Sequence, residues 1–268
     1  MIKRFGLFYL VLVCLTACNN TTTDSAINTT TEKNAIPAEE KLLRDAITKY
    51  PDSLLLKENL IQYFRENSNY GQAIIETDKE LQKDSANDRL WDIKAALHIL
   101  QSDTADAIKA LQKAISINRK PAYVLSLGLT YAQLKNASAL QMADILLNDP
   151  KAKAEKQAQF IKGFYYAYLG NYKKSIAYYD TCLAIDYTYI DAYKEKAVCL
   201  YELAKYNEAI ETLQKAVSLK STYDEAFFWL GRCYQKLNMP KEAQANYEMA
   251  LQIDPDYAEA KDALSRLK

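Results

Sequence analysis

The stretch YDEAFFWLGRCYQKLNMPKEAQANYEMALQIDP, Tyr223 to Pro255, holds two runs of alternating large and small residues around a break at Asn238 to Pro240. With Asp224 as position 1, large residues fall at Phe227, Leu230, Tyr234 and Tyr247, and small ones at Gly231, Ala243 and Ala250. That spacing suits two amphipathic helices packed side by side, with Pro255 ending the second. The pattern also recurs at a step of 34 residues. Such a recurrence is the mark of a stacked array in which each unit covers its neighbours.

One step earlier, from Ile190, the same slots hold Tyr193, Ala197, Ala209, Leu213 and Ala216. From Lys156 they hold Gly163, Tyr166, Ser175, Tyr179 and Cys182, and from Asp88 they hold Trp91, Ala95, Ala107, Leu111 and Ala114. The copy from Pro121 keeps Leu127, Gly128 and Tyr131 but loses about two residues before Asn148. The copy from Leu54 puts Ile61 and Glu80 where small residues are expected. Leu-Gly at 7 and 8, Tyr at 11, Ala at 20 and 27, an aromatic at 24 and Pro at 32 resemble the tetratricopeptide repeat.

The resemblance implies an all-α, right-handed superhelical solenoid of helix-turn-helix units over residues 38–268. Its repeats would run about 54–87, 88–120, 121–155, 156–189, 190–223 and 224–257. Residues 38–53 read as an N-terminal half-repeat and 256–268 as a charged cap helix that covers the last apolar face. The family lines its concave groove with positions 2, 5, 6, 9, 12 and 13 of each first helix. The groove residues so implied are Phe160, Phe164, Tyr168, Lys194, Tyr201, Phe228, Trp229, Arg232 and Lys236. Aromatic and arginine side chains carry much interface energy, so a segment of a protein partner is the expected occupant. Members that clamp a chaperone's C-terminal carboxylates need Asn at position 9 after Lys at 5. Here Lys194 is followed by Val198, which breaks that clamp.

The N-terminus is a separate object. MIKRFGLFYLVLVCLTACNN pairs early cations with an apolar run from Phe5 to Leu15, too short to span a bilayer and suited to a secretory leader. Its LTAC ending resembles the bacterial lipobox, which implies cleavage after residue 17 and diacylation of Cys18. Residues 18–37, rich in Thr and Asn, read as a flexible tether. Asn19 is not the Asp that retains such proteins at the inner membrane of enteric bacteria. The expectation is therefore an exported protein anchored at the outer membrane of a Gram-negative cell.

Charge excludes other classes. The chain has 34 Lys and Arg against 34 Asp and Glu, and loss of Lys3 and Arg4 with the leader leaves 32 against 34. A nucleic-acid partner would call for a basic excess. No phosphate loop, zinc spacing or serine elbow appears, so no cofactor, metal site or enzymatic activity is expected. The lone histidine, His98, falls in the aromatic slot at position 11 and reads as core. Cys182, Cys199 and Cys233 read as small buried hydrophobes, with one strained or intermolecular bridge as the other reading.

Three functions follow from this sequence: a membrane-tethered adaptor for another envelope protein, a glycan or small-ligand binder stacking on Tyr168, Tyr201 and Trp229, and a self-associating structural protein. In all three the anchor is Cys18. Cys18→Ala is expected to abolish acyl labelling and move the protein out of the membrane fraction with its helicity unchanged. A variant still fully in membranes without acyl label would contradict the lipid anchor.

Overall fold

The computed structural model describes residues 36–149 and 153–267. The leader, Cys18 and the tether up to residue 35 lie outside the described residues. The described chain is helical throughout and forms an all-α repeat solenoid. A half-repeat helix α1 (Ala38–Lys49) precedes the pairs α2 (Leu54–Glu66) with α3 (Tyr70–Lys83), and α4 (Asp88–Leu100) with α5 (Thr104–Ile117). Then come α6 (Pro121–Gln133) with α7 (Ser138–Leu147), and α8 (Glu155–Tyr168) with α9 (Tyr172–Ile185). The last pairs are α10 (Ile190–Glu202) with α11 (Tyr206–Leu219), and α12 (Asp224–Lys236) with α13 (Pro240–Ile253), followed by α14 (Ala258–Ser265). Each helix packs chiefly on its chain neighbours.

Six turns join the two helices of a pair by one device. Ser68, Ser102, Lys135, Gly170, Ala204 and Asn238, each at position 15 of its repeat, have φ between 56° and 77°. The next residue's amide donates back to the carbonyl at position 11, as from Asn171 to Tyr166 (2.9 Å) and from Lys205 to Leu200 (2.9 Å). This is the helix-ending turn that satisfies orphan carbonyls through a left-handed residue. Only one of the six is glycine, so the turn geometry overrides the usual steric preference. Asn69, Asp103 and Asn171 then cap the second helix with side-chain oxygens.

Within a pair, positions 8 and 24 are complementary in volume. Gly163 faces Tyr179 and Gly231 faces Tyr247, and a Cβ on either glycine would lie 2.6 Å from the ring. Where position 8 is alanine, position 24 is leucine: Ala95 with Leu111, and Ala197 with Leu213, each pair buried in one cluster. The first repeat reverses the sizes, with Ile61 and Thr77 both buried. The two members together fill a nearly constant space, as close-packed interiors demand.

The third repeat breaks this rule. Its second helix, α7, has 10 residues where the other second helices have 14. Ile161 of the following repeat fills the space at Gly128, where a Cβ would stand 2.7 Å from Ile161 Cδ1. Helix α6 consequently packs directly on α8 as well as on α7.

Gly163→Ala should cost about 1–3 kcal/mol of stability through overpacking. Adding Tyr179→Leu should recover most of it, since the Tyr179 hydroxyl is buried with no hydrogen-bond partner to lose. Gly71→Ala in α3, whose nearest new neighbour is a flexible Gln101 amide at 3.8 Å, should be neutral or stabilising. Urea unfolding of the three variants checks this, and a double variant no better than Gly163→Ala would contradict the volume rule.

Candidate functional site

The first helices of the last three repeats, α8, α10 and α12, present the residues expected to line a groove. The structure divides them. Phe160, Phe164, Tyr201 and Phe228 are only 5%, 9%, 8% and 8% exposed, so they are core and not an open apolar floor. Tyr168, Lys194, Trp229 and Arg232 are partly exposed and Lys236 is exposed.

The burial of Phe160 and Phe228 has a repeated cause. Phe160, at position 5, lies with its ring centroid 5.6 Å from Tyr179 and 5.0 Å from Tyr189. Phe228, two helix pairs further on, lies 5.9 Å from Tyr247 and 5.1 Å from Tyr257. In both repeats a tyrosine at position 34 folds over the phenylalanine at position 5, while the tyrosine at position 24 supports it from behind. These aromatic contacts add to plain area burial. Sequence reasoning missed Tyr189 and Tyr257 as lids, although tyrosine ends each of the last three repeats, at 189, 223 and 257.

The repeat between them solves position 5 differently, with a cation. Lys194 Nζ lies 3.2 Å from both carboxylate oxygens of Glu225 and 3.0 Å from Glu195. Burial works against its charge, yet the two glutamates hold the ammonium above the ordinary lysine value. Here the position-34 tyrosine, Tyr223, donates its hydroxyl to Asp191 Oδ1 at 3.0 Å. Burial, then the Asp191 carboxylate, pushes its phenol well up, which keeps it a donor. Lys194 is therefore neutralised within the protein and offers little to an outside carboxylate.

Arg232 is different. Its guanidinium carbon stands 4.9 Å from the ring centres of both Tyr201 and Trp229, and Nη2 donates to the Tyr201 hydroxyl at 3.1 Å. Tyr201 and Trp229 meet edge to face at 5.4 Å. The stacking restrains the guanidinium, which has no ion pair among the described residues. Near the other end, at position 5 of the second repeat, Asp92 is a second group that sequence reasoning missed. It is partly buried, and burial raises its carboxyl pKa against the pull of Lys120. Equivalence to Lys194 and Phe228 on the repeat grid was the signal that could have found it.

The three described cysteines are free and buried. Burial pushes each thiol up to about 12, so none is a nucleophile at neutral pH. Cys199 Sγ lies 3.3 Å from Ser175 Oγ, which donates to the Gly163 carbonyl at 2.8 Å. These contacts belong to packing.

Comparisons agree with this architecture. Tetratricopeptide repeat profiles match residues 203–267 and 157–189, and the chain carries such repeats. It is 26% identical over 164 residues to stress-induced-phosphoprotein 1 of Caenorhabditis elegans, covering 61% of this chain and 49% of that protein. It is 24% identical over 99 residues to an Hsp70-Hsp90 organising protein of Plasmodium falciparum, covering 37% and 39%. The chain thus spans less than half the length of either relative. A tetratricopeptide repeat protein from Parabacteroides merdae superposes with a TM-score of 0.68 at 20% identity, covering 85% of this chain and 90% of that one. PilW, a type IV pilus biogenesis factor, superposes with a TM-score of 0.59 at 20% identity, covering 78% and 97%. Both likenesses show the fold.

Phe228→Ala is expected to lose about 3–5 kcal/mol from the C-terminal end, because the deletion opens a cavity between α12, α13 and Tyr257. Lys236→Ala should be neutral. Hydrogen exchange across α13 and α14 reads both, and equal protection in the two variants would contradict the buried assignment of Phe228.

Proposed function

We propose that this chain is a non-enzymatic adaptor that holds a segment of another protein along its first helices, tethered to the envelope membrane through a lipid on Cys18. The observation that carries the binding role is Arg232, a guanidinium oriented by Tyr201 and Trp229 and left without an acidic partner among the described residues. A preset arginine beside an indole is a typical interface anchor. Asp92, unpaired and partly desolvated in the second repeat, gains from a cation supplied from outside. An extended segment with a basic residue toward Asp92 and an acidic residue toward Arg232 fits this polarity.

The tether and the outer-membrane location rest on the leader sequence and its LTAC ending. No helix among the described residues is long and apolar enough to cross a membrane. The chaperone-binding role of organising proteins is a poor fit, since Lys194 is already paired and Val198 stands at position 9. Glycan stacking is also a poor fit, because Tyr201 is buried and engaged by Tyr206, Trp229 and Arg232.

Arg232→Glu and Asp92→Lys should each weaken co-purification of the partner from native membranes about tenfold or more, as expected for a lost and inverted charge contact. Lys241→Ala, at an exposed position on the second helix α13, should leave it unchanged. Partner recovery unaffected by either reversal, with circular dichroism unchanged, would contradict the reading, and binding of glycans alone would replace it.

A further inference from the structure

The second repeat contains an imidazole that packing alone does not account for. His98, in the last turn of α4, is 8% exposed, and neither ring nitrogen has a hydrogen-bond partner among the described residues. A buried polar atom left unpaired costs on the order of 1–3 kcal/mol, which an ordinary core residue would avoid. Position 11 holds tyrosine in the third, fourth and sixth repeats, at Tyr131, Tyr166 and Tyr234.

Two carboxylates face this ring. Nδ1 lies 3.5 Å from Asp103 Oδ2, and one donor atom from each of His98, Asp103 and Asp106 falls within 4.8 Å of the others. The local backbone fixes Asp103. Its amide donates to the His98 carbonyl at 2.8 Å, and its Oδ1 caps α5 by accepting from the Asp106 amide at 3.2 Å. Oδ2 is left directed at the imidazole. In a tetrahedral site with bonds near 2.1 Å, two ligand atoms stand about 3.4 Å apart, so the His98 to Asp103 separation already matches one edge.

We propose that His98 Nδ1 and the carboxylates of Asp103 and Asp106 form a site for a divalent cation of the zinc class, stapling α4 to α5 across their turn. An imidazole nitrogen favours a borderline metal over magnesium or calcium, which prefer all-oxygen shells. The two aspartates are roughly half exposed, which gives a path in and room for water in the fourth position. Asp106 Oδ1 accepts from Lys109 Nζ at 2.6 Å, so the metal displaces that ammonium. Nε2 keeps its proton without a partner to orient it. With that outer contact lacking, the affinity belongs on the order of micromolar and not nanomolar.

The test uses the full chain, stripped with a chelator and kept in detergent. Zinc titration by calorimetry should show one equivalent bound, and cobalt should give visible bands of nitrogen and oxygen ligation without thiolate charge transfer. Asp103→Asn keeps the helix cap and His98→Tyr supplies the side chain used by three other repeats, so both should fold. Each should weaken zinc binding at least tenfold and remove any zinc-induced rise in the thermal midpoint. No zinc binding by the wild type, equal affinity in all three proteins, or a cobalt spectrum dominated by thiolate would overturn the site.

Discussion

The approach of two helix backbones at position 8 is the contact on which the rest of the structure depends. At Gly163 and Gly231 no side chain separates the first helix from the tyrosine ring of the second. At Ala95 and Ala197 a methyl group fits because leucine replaces the ring. Since each repeat touches mainly its neighbours, the spacing set here is handed along the whole array. Where α7 is short, the contact is lost and Ile161 of the next repeat restores it, which draws α6 against α8.

That frame determines which side chains are free to act. The close helix pair brings position 34 of a repeat back over position 5 of the same repeat, so Tyr189 and Tyr257 close over Phe160 and Phe228. The middle repeat has Lys194 at the equivalent place, satisfied by Glu195 and Glu225. Among the groups left available are a restrained cation, Arg232, and a partly desolvated anion, Asp92, beside the partly exposed Tyr168 and Trp229. Charge and polarity, more than an apolar trough, therefore distinguish this surface.

The helix pairs were legible in the sequence because the 34-residue period places glycine, alanine and proline where backbones meet or turn. The turns themselves were less so. Five of the six left-handed positions carry Ser, Lys, Ala or Asn, and only Gly170 announces its conformation. Phe160, Phe164, Tyr201 and Phe228 were expected on an open face because a repeat template assigns residues to faces one helix at a time. Phe160 and Phe228 are covered by tyrosines about thirty residues downstream, and Tyr201 by Trp229 and Arg232 of the next repeat, contacts that the helical period of one helix cannot express. His98 was read from its slot alone, whereas its setting comes from Asp103 and Asp106 across the turn. The leader and Cys18 were read from sequence only and lie outside the described residues.

The face around Trp229 and Arg232 is the proposed seat of the partner. Photo-crosslinking in the native cell tests that placement most directly, with a photoreactive residue placed singly at Trp229, at Tyr168, or at Met249 on α13. The first two positions should capture one and the same protein, and Met249, on the second helix of its pair, should not. Capture from Met249 but from neither groove position would contradict that placement.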